Sequence, residues 1–155
     1  MSLNERGRGM AGGVLISRAL GFCIYVTAFF LPACRQVGDG PGGALRGYTC
    51  AWMTLVNVLN PESWHTSLCL AIFSGWINPL ILLYLIFLCF KGFRWPRRIV
   101  AAMIVLFIVG TWVFFSIAHL VPMIGHVLWI AGILMILAGE AIGGSKAGLE
   151  KAQQA

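Results

Sequence analysis

Between Ile99 and Leu120 the chain runs for 22 residues without a charged side chain. As a helix rising about 1.5 Å per residue, that run is about 33 Å long, enough to cross the ~30 Å hydrocarbon core of a bilayer. Just before it stands Lys91-Gly-Phe-Arg94-Trp95-Pro96-Arg97-Arg98, which holds four of the chain's eleven basic residues in eight positions. A second apolar run ends immediately upstream, at Phe90. A basic stretch this short between two apolar runs reads as a cytoplasmic hairpin, because Lys and Arg accumulate on the inner side of membrane proteins.

Composition agrees with a lipid environment. The 155 residues are 59% hydrophobic and 10% charged, and the mean hydropathy is +0.87. Soluble domains carry about 25% charged residues. A formal net charge of +6 suggests nucleic acid at first. The charges are few, however, and lie beside apolar runs without an interleaved basic and aromatic surface, so they read as topology signals and anionic-lipid contacts. No catalytic signature or cofactor motif stands out, and the five cysteines form no CxxC.

Taken in order, 1–12 is expected to be a mobile cytoplasmic tail and 14–31 the first span, with Arg18 near its inner end and Pro32 closing it. Leu31-Pro32-Ala33-Cys34 also resembles a lipobox in which Cys34 would be lipidated after cleavage. Proline before the small residue is atypical for that motif, and the uncleaved helix is preferred. Residues 35–49 read as a loop around Gly38-Asp-Gly-Pro-Gly-Gly43, which lacks the Gly-Lys-Ser/Thr of a phosphate cradle. Residues 50–59 are too short to span. Trp52, Leu55, Val56 and Leu59 recur at helical spacing, predicting a short amphipathic helix that either lies on the outer interface, anchored by Trp52, or packs onto the chain's own helices. Asn60-Pro61-Glu62 reads as a helix start, and 64–90 as the second span, bent at Asn78-Pro79, where Pro79 cannot donate to the Gly75 carbonyl. The third span is 99–120 and the fourth 124–142, ended by Gly143-Gly144, with a polar tail over 145–155. With the N-terminus inside, Arg6, Arg8, Arg18, Lys91, Arg94, Arg97, Arg98, Lys146 and Lys151 are cytoplasmic, and only Arg35 and Arg46 are outside. The expected fold is therefore all-α and integral to the membrane: a four-transmembrane-helix bundle in a single domain, both termini cytoplasmic, as in a bacterial inner membrane.

Several groups are candidate sites. Cys34 and Cys50 share the outer loop, and a disulfide there would stabilise the fold by roughly 3 kcal/mol. His65, His119 and His126 fall toward the outer helix ends, where they would suit a metal or haem; the plainer reading has them facing headgroups and water. Arg18 and Glu140 lie at matched depth on helices that neighbour each other in an up-down bundle, which predicts an intramembrane ion pair. Asn78 and Pro79 mark the helix break. Gly125, Gly132, Gly139 and Gly143 form a helix-packing stripe for a helix of this chain or of another subunit.

These features predict a non-enzymatic accessory or scaffold subunit. Its partners would be the lipid bilayer and a second membrane protein or another copy of itself, with no nucleic acid and no cofactor. A small-solute or ion carrier using the Asn78-Pro79 break with Arg18 and Glu140 is the alternative, and an outer-face metal or haem binder using the three histidines is a third reading.

Overall fold

In a computed structural model, the backbone is described over residues 3–38, 40, 43–59, 66–90 and 92–153, and side-chain surroundings over 12–38, 40, 43–56, 59, 74–90 and 92–138. The chain is mostly helical. Five helices, α1 (Leu3–Ala28), α2 (Gly47–Leu59), α3 (Thr66–Cys89), α4 (Arg94–Ile117) and α5 (Ile124–Gln153), are joined by three short strands, β1 (Pro32–Gln36), β2 (Leu45–Arg46) and β3 (Leu120–Pro122). Among the described residues one helix, Arg94–Ile117, is long and apolar enough to cross a membrane. Gly12–Ala28, Ser74–Cys89 and Ile124–Ala138 are apolar but shorter.

The strands correct the expectation of an all-α chain with an irregular loop over 35–49. β1 is the central strand of an antiparallel sheet ordered β2-β1-β3. Its register sets Cys34 opposite Leu45 on one side and opposite Pro122 on the other, with an irregularity between Pro32 and Cys34 against β2. Proline is tolerated at both of its sites because Pro32 is the first residue of its strand and Pro122 lies on an edge strand. The pairing extends past the strands: Val37 N–H donates to the His119 carbonyl at 3.0 Å and Met123 N–H to the Ala33 carbonyl at 2.8 Å. His119 takes a left-handed conformation, φ 51°, as the turn from α4 into β3 requires. Histidine is among the residue types that adopt that region most readily.

Helix boundaries also move outward, α2 beginning at Gly47 instead of Cys50 and α4 at Arg94 instead of Ile99. α1 begins at Leu3 instead of Val14, so most of the expected N-terminal tail is helical. α5 continues through Gly143-Gly144 to Gln153. A helix-interior glycine costs only about 1 kcal/mol relative to alanine, and the residues that follow (Ala147, Leu149, Glu150, Lys151) are good helix formers. Pro79 lies inside α3, which runs on through it.

The chain divides into two compact units, one of Met1–Val26 with Leu128–Ala155 and one of Thr27–Val127. In the first, α1 meets α5 at glycine. A Cβ on Gly21 would lie 2.8 Å from the Gly132 carbonyl oxygen, and one on Gly132 would lie 2.7 Å from the Tyr25 nitrogen. Backbones this close suit Cα–H···O contacts. Ser17 Oγ donates to the Met135 carbonyl at 3.4 Å, and the Trp129 indole donates to the Tyr25 hydroxyl. In the second unit α3 packs along α4 and α2 against α3. The buried side of α4 is Val100, Ile104, Ile108, Thr111 and Phe115, spaced by three or four as one helical stripe. On α3 the buried residues include Ile77, Ile81 and Tyr84. Thr111 satisfies its hydroxyl within the helix by donating to the Phe107 carbonyl at 2.9 Å.

Candidate functional site: a paired thiol in the cap

The sheet and the first turns of α2 together hold two sulfurs. Cys34 lies mid-way along the central strand, where hydrogen-bonded neighbours on both sides fix its backbone, and its side chain is only 4% exposed. Cys50 is the fourth residue of α2 and is half-buried. The start of α2 is tied to the end of α1: Gly47 N–H donates to the Leu31 carbonyl at 3.0 Å and Tyr48 N–H to the Phe29 carbonyl at 2.9 Å. Gly47 is what permits this approach, since a Cβ there would stand 2.6 Å from the Ala28 carbonyl oxygen. One turn beyond Cys50, Thr54 Oγ1 donates to the carbonyls of Cys50 and Ala51, both at 3.0 Å. These ties bring the sulfurs of Cys34 and Cys50 to 3.5 Å, with both thiols free.

At that separation the thiols cannot ionise independently. The hydrogen bond from Cys50 lowers the Cys34 thiol below its usual range, overcoming the opposite effect of burial. The same bond raises Cys50, and burial and the Cys34 charge add to it. The favoured singly ionised form is a Cys34 thiolate accepting an S–H hydrogen bond from Cys50.

The other candidates are dispersed. His65 lies outside the described residues. His119 is exposed in its turn. His126 is 6% exposed, contrary to the expectation that it faces water. Its ring stacks on Phe115 at 4.5 Å and meets the edge of Trp112 at 5.6 Å. Among the described residues no three His, Cys, Asp or Glu gather as a metal-ligand group. Arg18 is half-buried on α1; the side chain of Glu140 lies outside the described residues, as do those of Gly139 and Gly143. Asn78 and Pro79 are half-buried on α3. Gly125 and Gly132 both contact backbone of this chain, Gly125 against Leu31 and Pro32 and Gly132 against Gly21 and Tyr25. At these two positions the stripe is used within the chain.

Sequence reading missed Gly47 and Gly21. The available signal for Gly47 was a glycine three residues before a cysteine at the start of a helical pattern. For Gly21 it was a lone glycine inside an apolar run. Trp52 was expected as an outer anchor and is 66% exposed. Leu55, expected on the same stripe, is half-buried with Ala51 and Thr54, while Tyr48 and Met53 join Trp52, Val56 and Leu59 on the exposed face. Compared with protein-family models, curated proteins and solved structures, the chain matches none.

Proposed function

We propose that this chain is a small integral membrane protein that crosses the bilayer four times, both ends in the cytoplasm, and serves as a non-enzymatic accessory or scaffold subunit. The observation that carries the reading is α4. Beyond its basic start it carries no charged residue, yet only 28% of its most apolar stretch is buried. A helix of that composition in a soluble core would be covered. Here Met103, Leu106, Val109, Val113 and Ile117 face outward, where lipid or a neighbouring membrane protein satisfies them.

The partner surface is sought on such exposed faces instead of on the glycine stripe, whose described members contact their own chain. On α3 the exposed face carries Trp76, Leu82 and Ile86, and on α1 Leu15, Ile16 and Leu20. The basic hairpin supports the orientation: Arg94 and Arg98 are exposed, and Trp95 beside them is 76% exposed, in keeping with a headgroup-level anchor.

Two measurements test the reading. Membranes washed with alkaline carbonate should retain the full-length chain, and a cysteine placed by Gly92→Cys should label only from the cytoplasmic side. Release by carbonate overturns the spanning topology, and labelling from the outer side inverts it. Purification in mild detergent should then bring down a membrane protein, or a second copy of the chain, in fixed stoichiometry. A lone monomer across several mild detergents overturns the subunit role.

A further inference from the structure

We propose that Cys34 and Cys50 form a reversible dithiol–disulfide exchange site, in which an incoming thiol enters at Cys50 and Cys34 is the leaving and resolving sulfur. Geometry assigns the roles. The sulfurs are 3.5 Å apart, and a disulfide bond is about 2.05 Å. Cys34 is held in a central strand and buried, whereas Cys50 is partly open on the helix. Of the two residues Cys50 is the more exposed, and it is the entry point assigned here. The dithiol's chemistry depends on this cap and not on which way the helices cross a bilayer.

Two successive thiol–disulfide exchanges carry the reaction. The thiolate of an external dithiol attacks Cys50 Sγ of the closed pair. A bond forms between the external sulfur and Cys50 Sγ, the Cys50–Cys34 bond breaks, and the electron pair departs on Cys34 Sγ. The second external thiol then attacks the first external sulfur, releasing Cys50. Two electrons and two protons pass from the dithiol to the cysteines, and the dithiol leaves as a disulfide. Oxidation runs the same steps backwards. Because a sulfur that holds negative charge well is a good leaving group, the depressed Cys34 thiol suits its role, and the S–H of Cys50 stabilises the thiolate once both are free. Cys23 and Cys89 have no place in the reaction. Both are exposed on helices, and the Cys89 thiol donates to the Leu85 carbonyl of its own helix at 3.7 Å.

The test uses the full-length chain in detergent or native membranes, equilibrated with reduced and oxidised dithiothreitol, or with glutathione, then acid-quenched and alkylated for peptide mass spectrometry. In the folded parent chain, Cys34 and Cys50 should gain and lose protection from alkylation together as the ratio is varied. Oxidised glutathione should place a mixed disulfide on Cys50 of a Cys34→Ser chain roughly tenfold faster than on Cys34 of a Cys50→Ser chain. The parent titration stands even where a variant misfolds. Three results overturn the proposal: both thiols stay open to alkylation under oxidised glutathione; the pair closes but dithiothreitol opens it only after denaturation, which makes it a fixed staple; or Cys34 captures glutathione faster than Cys50.

Discussion

Where α1 meets α5 two backbones touch, whereas along α3 and α4 large side chains fill the space between helices. The first pair has Gly21 and Gly132 at its centre, each within 3 Å of where the other helix would meet an added Cβ. The second buries Ile77 and Tyr84 on α3 and Ile104 on α4, all fully covered. Neither pair gains much from apolar burial as such if its surroundings are lipid, since lipid is as apolar as leucine; packing and dispersion then decide. The two pairs should consequently fail in opposite ways, one when volume is removed and the other when it is added.

The largest effect is expected from Ile104→Ala. Truncating a fully buried isoleucine loses its contacts and leaves a cavity, at a cost of about 2–5 kcal/mol. Thermal unfolding in detergent should register it. Leu106→Ala, on the exposed side of the same helix, should shift stability by less than about 0.5 kcal/mol. Equal losses at the two positions would mean that α4 does not have a buried and a lipid-facing side.

Gly132→Ala comes next, with the opposite origin. The new methyl would meet Tyr25 N, Gly21 O and Tyr25 Cα at 2.7–2.9 Å. All three are backbone atoms, which cannot rotate away, so the helices must separate at a cost of about 1–3 kcal/mol. A melting temperature unchanged by Gly132→Ala would remove the close approach from the account of this pair.

The contrast also explains what could be read in the sequence. Helix positions followed from apolar runs such as Ile99–Leu120 and from the basic stretch that separates two of them, because both signals are local. The glycine contact was half legible: Gly132 fell in a seven-residue stripe, but nothing local paired it with Gly21, which lies far away in the chain. The sheet was illegible for a related reason. β2 has two residues and β3 three, too few for an alternation, and the partner of Cys34 at Pro122 is supplied from after α4. Cys34 and Cys50 were legible as occupants of one loop; their separation depended on that sheet and on Gly47. His126 was read by its place at a helix end, and its burial depends on Trp112 and Phe115 of the preceding helix.

Gly110 is a helix glycine of the opposite kind. It sits inside α4, and a Cβ there would meet nothing within 4 Å. With no close approach to protect, Gly110→Ala removes only the entropic penalty of glycine in a helix and should stabilise the chain by about 0.5–1 kcal/mol. A loss in the isolated chain would show that another part of the same chain approaches α4 there; a gain in isolation with loss of a co-purifying protein would locate the interface at that site.

The smallest effect separates the cap from both helix pairs, because the cap holds two thiols that share a hydrogen bond. In the reduced chain Cys34 is depressed, so between its folded value and the ordinary thiol value the unfolded state binds the extra proton. Stability from this group is present above the ordinary value and lost as pH falls through the folded one. Cys50 is raised, so its contribution is present below the ordinary thiol value and fades as pH climbs beyond it. The melting temperature of the reduced chain, taken relative to the disulfide form, should therefore rise as pH approaches the ordinary thiol value and fall above it. Cys34→Ser should lose the rising limb, since it removes the thiolate itself. Parallel profiles for reduced and oxidised chains throughout would mean that the two sulfurs, though adjacent, do not share a proton. Thiol exchange at Cys50 would then proceed without a charged neighbour to expel.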